Sequence, residues 1–143
     1  MTDSSKNSKN YLVILGIIVG FAIVIVAQQF FSKKPAFDQV MMEVASELNK
    51  SLPMMVDQET RLDNAMALPG NVFAYNYTLV STVKDSLDIQ YFNDVMSPMI
   101  INNVKTNPDL KFFRDNEASM QYSYKDMYGI FIAKIIITKE DYQ

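Results

Sequence analysis

From Tyr11 to Phe31 the chain carries no charged side chain, and nearly every position is apolar. At a rise of ~1.5 Å per residue this run makes a helix of about 30 Å, the thickness of a bilayer's hydrocarbon core. It exceeds the roughly 7–15 apolar residues of a cleaved signal's core, and it lacks the polar stripe of a helix on a globular core. The pattern therefore predicts an uncleaved transmembrane helix over 11–31, preceded by a polar, disordered tail over 1–10. Within it, Gly16 and Gly20 have the GxxxG spacing that lets two helices approach closely. Lys33, Lys34 and Pro35 mark a juxtamembrane linker over 32–36. Lys6 and Lys9 nearly balance Lys33 and Lys34, and the free amino terminus tips the orientation towards a cytoplasmic tail with residues 37–143 outside.

Beyond the linker the hydrophobic period changes three times. Phe37, Val40, Met41, Val44, Ala45 and Leu48 form one apolar stripe, which predicts an amphipathic helix over 37–50. Thr60–Ala67 and Val72–Val80 alternate as strands, and Leu68-Pro69-Gly70-Asn71 reads as the turn between them. With a four-residue loop, Leu62, Asn64 and Met66 share a face with Phe73, Tyr75, Tyr77 and Leu79. Ser81–Asp88 is a polar connection, after which Ile89, Phe92, Met96, Met99 and Ile100 return to helical spacing. Pro98 interrupts that spacing, which predicts a kink or a helix boundary. Asn107-Pro108-Asp109 starts a further short turn of helix, with Asn107 as cap. A second hairpin is expected from Ser119–Tyr124 and 130–138 around Asp126-Met127-Tyr128-Gly129, pairing Tyr124 with Phe131. The expected fold is α+β: helix, hairpin, helix, hairpin, with an antiparallel sheet of about four strands and helices on one face.

Composition narrows the chemistry. The chain has no histidine and no cysteine, so it lacks the common neutral-pH base, the thiol nucleophile and the side chains that dominate zinc and haem sites. Its four glycines include two in the apolar run, which leaves no phosphate-cradling loop. Glu43 and Glu47 lie one helical turn apart, but on the polar side of their helix. A net charge of −3 disfavours nucleic acid as a partner. No catalytic residue, metal site or cofactor is expected, and the protein is read as a non-enzyme.

Leu52-Pro53-Met54-Met55-Val56-Asp57, Thr60-Arg61-Leu62-Asp63 and Phe73-Ala74-Tyr75-Asn76-Tyr77-Thr78-Leu79 resemble a group of small uncharacterised bacterial exported proteins. Asn107-Pro108-Asp109 and Tyr122-Ser123-Tyr124 fit the same resemblance. A more distant likeness is to the pilotins, small α+β accessory proteins of type II secretion. Taken with the predicted anchor, the expectation is a bacterial inner-membrane protein, single-pass, with its C-terminal domain in the periplasm. Its expected role is to bind another envelope protein as an accessory factor in envelope assembly or secretion. The alternative is an immunity-type protein that neutralises a toxin at the membrane. In the four-residue-loop register the last strand is apolar on both faces. Phe131, Ala133, Ile135 and Ile137 point to the helices, and Ile130, Ile132 and Ile136 form a partner-binding or homodimer surface.

Overall fold

A computed structural model describes residues 36–143. The predicted transmembrane helix, the tail and linker around it, and Gly16 and Gly20 lie outside the described residues. Among those described, no helix is long and apolar enough to cross a membrane.

The first helix, α1 (Phe37–Asn49), buries Val40, Met41, Val44, Ala45 and Leu48, the stripe read from its spacing. Asn49 then bonds both the N–H and the C=O of Ala65, each at 2.8 Å, and so ties the end of the helix to the sheet. The strands are β1 (Met54–Met55), β2 (Thr60–Leu68), β3 (Val72–Leu79), β4 (Ser119–Lys125) and β5 (Phe131–Ile137). They lie side by side in chain order. β1–β2, β2–β3 and β4–β5 are antiparallel, whereas β3–β4 is parallel. The sheet is therefore mixed and five-stranded, not antiparallel and four-stranded. A parallel pair needs a long crossover, and residues 80–118 supply it.

Within that crossover a 3₁₀ turn at Lys84–Ser86 leads to α2 (Ile89–Thr106). The Asp88 carboxylate accepts the Tyr91 N–H at 2.9 Å and caps the helix. Pro98 sits inside α2 without ending it. A proline there costs roughly 3 kcal/mol of helix stability, offset by packing on both sides: Phe92 and Met96 before it, Ile100 and Val104 after it. Asn107 caps the 3₁₀ turn Pro108–Leu110 through the Asp109 N–H, as the sequence predicts. Arg114 of α3 (Lys111–Asp115) donates to the carbonyls of Val104 at 2.6 Å and Asn107 at 2.7 Å, placing a cation where the α2 carbonyls converge. The chain closes with α4 (Lys139–Tyr142), held by a Thr138–Asp141 capping box and by the Tyr142 hydroxyl, which donates to the Ala118 carbonyl at 2.8 Å.

Both hairpins depart from the expected register next to their loops, and each contains a bulge. The first loop is Pro69–Asn71, with Leu68 opposite Val72 and both Gly70 and Asn71 at positive φ. This shortens the loop by one residue and turns Ala65 and Ala67, rather than Asn64 and Met66, towards the core. A bulge between Leu62 and Asn64 then restores Leu62 opposite Tyr77. In the second hairpin Lys125 pairs with Phe131, and a bulge follows so that Tyr124 meets Ala133. One extra residue in the loop and one in the bulge shift the pairing by two, which preserves the faces of Ala133, Ile135 and Ile137.

The inner face stacks three rows across β2 to β5: Leu62, Tyr77, Tyr124, Ala133; then Ala65, Tyr75, Tyr122, Ile135; then Ala67, Phe73, Met120, Ile137. Tyr75 and Tyr122 stack at 5.3 Å between ring centroids, and Tyr77 and Tyr124 at 5.2 Å. Burial pushes all four phenols above their ordinary pKa, so this ladder is neutral. α1 lies against β2 and α2 against β5, which puts the core between the sheet and its helices.

A candidate protein-binding surface on the open face

Side chains alternate across a sheet, so the registers that build the core also build three rows on its other face. Arg61, Thr78, Lys125 and Phe131 form one row; Asn64, Asn76, Ser123 and Lys134 the next; Met66, Ala74, Gln121 and Ile136 the third. Met66, Phe131 and Ile136 are exposed apolar side chains, whereas Ala74 and Thr78 are buried among their neighbours in the central strand.

The polar members are bonded to each other. Asp63 accepts from Arg61 Nε and the Thr78 hydroxyl, both at 2.6 Å, and lies 3.2 Å from Lys125 Nζ. Asn76 donates to Asn64 at 2.7 Å, and Gln121 to Ser123 at 3.2 Å. Burial works to raise the Asp63 pKa, but Thr78, Arg61 and Lys125 outweigh it and the net shift is downward. Lys134 makes no ion pair among the described residues. Asp63 thus pairs with Arg61 and Lys125, while Lys134 adds an unpaired positive charge to this face of a chain of net charge −3.

Asp126 fixes the loop leading into β5. It is closed off from solvent, and its carboxylate accepts the N–H groups of Lys84 at 3.0 Å and of Tyr128 and Ile130 at 2.9 Å. Burial works to raise its pKa, but these donors and the Lys84 charge outweigh it and leave it below the ordinary carboxylate value. Met127 N–H bonds the Thr82 carbonyl at 3.0 Å, and Gly129, at positive φ, turns the chain back. Met127, Tyr128, Ile130 and Phe131 are held exposed by this framework, so little order remains to be gained on binding.

The lowered carboxyls of Asp63 and Asp126 make a pH prediction. Each has a folded pKa below its unfolded value near 4, so its contribution is complete above that value and is lost as pH falls through the folded pKa. With no histidine in the chain, the melting temperature should be flat from about pH 5 to 8 and fall below pH ~4. Asp63→Asn should narrow its deficit against the parent over that acid range in a thermal melt. A deficit constant from pH 7 to 2.5 would contradict the linkage.

The three residues expected at the partner surface separate. Ile130 and Ile136 are exposed, at 51% and 50%, whereas Ile132 is 3% exposed and belongs to the core. The bulge after Phe131 turns Ile132 inward beside Ala133 and sends Phe131, expected in the core, to the open face at 54% exposure. Met66 and Lys134 are also part of this face and were missed by sequence reasoning. Simple alternation from the turn puts Met66 on the inner face, and a lone lysine in an apolar strand carries no local signal of a surface. Among the described residues no cluster of Asp, Glu, His or Cys is placed to hold a metal ion.

The end of the domain where the chain enters is defined by contacts. Phe37 packs on Phe112 at 5.2 Å and Phe113 on Phe73 at 4.8 Å, near the start of β3. Phe131 lies at the other end of the sheet, beside Lys125 and Thr78, roughly 20 Å away along β3.

Three solved structures share this fold. A candidate secreted protein from Pseudomonas aeruginosa matches with a TM-score of 0.63 at 11% identity, over 77% of this chain and 100% of its own. The type II secretion system pilotin AspS from Vibrio cholerae gives 0.55 at 16%, over 73% and 90%. The type 2 secretion pilotin EpsS from Vibrio vulnificus gives 0.59 at 10%, over 74% and 91%. The likeness to pilotins is therefore one of fold. No curated protein matches the sequence. Residues 36–129, from the start of α1 through the Asp126 loop, match the family model described as Domain of unknown function (DUF8479), and the chain belongs to that family.

Proposed function

We propose that this protein is a non-catalytic accessory factor of the bacterial envelope, working in secretion or envelope assembly by binding a protein partner on the open face of its sheet. The observation that carries the reading is the asymmetry of that sheet. Its inner face is sealed by helices, while Met66, Phe131 and Ile136 stand exposed around Lys134 on the other. The two pilotins of similar fold support a secretion role. In this reading residues 11–31 hold the protein in the inner membrane with the domain in the periplasm. The chain enters the domain near Phe37 and presents Phe131 from the remote end, away from the tether.

Photo-cross-linking in cells tests this. A photoreactive residue at Ile136 or Met66 of the full-length protein should give a discrete adduct with one envelope protein. The same residue at Met42, exposed on the helical side at 57%, should not. Equal adducts from Met42, or none from the sheet, would refute the reading. An adduct with a separately encoded toxin would replace the accessory role by the immunity-type one.

A further inference from the structure

The two edges of the sheet differ. At one, β1 is only two residues long, and such shortness is a common protection against pairing. At the other, β5 runs seven residues with no proline, and no strand lies beyond it among the described residues. Apart from its ladder with β4, the backbone of 131–137 makes no hydrogen bond among the described residues. Every second N–H and C=O along that edge is thus open to a further strand.

The side chains state what kind of strand fits. Pairing would extend the open-face rows, so a new strand would set one residue beside Lys134 and another, two positions along, beside Ile136. Lys134 is the sole charge in β5, occupies its middle position and has no ionic partner among the described residues. A second copy of this chain fits poorly. Antiparallel pairing of β5 with itself about its midpoint would set Lys134 against Lys134, a like-charge pair directly opposite. Sliding by two residues relieves this only by shortening the ladder and setting lysine against isoleucine. Lys125, one strand in, is already paired with Asp63, so the unpaired Lys134 sets the charge of the edge, which favours an acid.

We propose that the outer edge of β5 accepts a sixth strand, an extended segment of a partner protein that places an Asp or Glu opposite Lys134 and an apolar residue opposite Ile136. This rests on the open face being the binding surface and specifies how the partner engages it. Main-chain hydrogen bonds supply affinity and the alternate side chains supply selectivity.

The test titrates the full-length protein with three nine-residue peptides of alternating valine and threonine. One has a central aspartate, one a central lysine, and one is the aspartate peptide N-methylated at alternate amides. The aspartate peptide should bind at least ~10-fold more tightly than the lysine peptide at low salt, and the gap should close as salt rises. Lys134→Glu should reverse the order, and N-methylation should abolish binding. Equal affinities, indifference to N-methylation, or no binding at millimolar peptide would overturn the sixth strand. Sedimentation showing a dimer lost on Ile136→Pro would overturn it in favour of a second copy. If these fail while Ile136 still cross-links to an envelope protein, the open face stands and the strand mode falls. If the cross-link fails too, both fall.

Discussion

Ile132→Ser should destabilise the domain by about 2–5 kcal/mol, the range for truncating a large aliphatic side chain in a packed core. Ile132 is 3% exposed, and the bulge after Phe131 turns it inward beside Ala133. The serine would remove most of that apolar volume and bury a hydroxyl as well. The neighbouring Ile136→Ser should stay within about 0.5 kcal/mol, because Ile136 is 50% exposed. Urea unfolding of the two variants checks the pair through the shift in midpoint at constant slope. Similar losses in both would mean that the open face is covered, and near-neutrality of Ile132→Ser would mean that the bulge is wrongly placed.

Phe113→Ala should cost about 3–5 kcal/mol, the range for emptying a buried phenylalanine site. Phe113 is fully buried and lies between Phe73, at 4.8 Å, and Phe112, at 5.6 Å. Phe112 in turn touches Phe37 at the start of α1. One ring therefore joins the crossover, the sheet and the first helix. The cavity would also loosen α3, and with it the Arg114 bonds to Val104 and Asn107 that close the end of α2. Hydrogen exchange should quicken in residues 104–116 before the rest of the domain. Stability unchanged within 1 kcal/mol would show that α3 contributes little to the core.

The candidate surface was legible only in part. Lack of histidine and cysteine, visible in the sequence, steers the reading to binding rather than chemistry. Ile130 and Ile136 could be placed outward from alternation, but Ile132 and Phe131 exchanged sides. The segment Phe131-Ile132-Ala133-Lys134-Ile135-Ile136-Ile137 has one polar residue in seven, so its binary pattern carries almost no phase. Where both registers bury isoleucine, packing against α2 and the reach of the Asp126 loop decide between them.

By itself the sequence determined whatever depends on neighbours within a few residues. The stripe of α1 follows from a 3.6-residue period, the strand character of β3 and β4 from alternation, and the Asn107 turn from a side chain that caps its own backbone. The length and uncharged character of residues 11–31 are of the same kind. Tertiary structure decided what depends on distant partners. β3 and β4 pair in parallel across the 80–118 crossover, and no local signal encodes the direction of a strand returning after so many residues. β1 and α4 are too short to display a period, and exist because Leu62 and Ala118 offer them hydrogen-bonding partners. The two bulges arise because loop geometry and core packing ask for different registers, and one extra residue satisfies both. That compromise turns Phe131 outward onto the open face of the sheet.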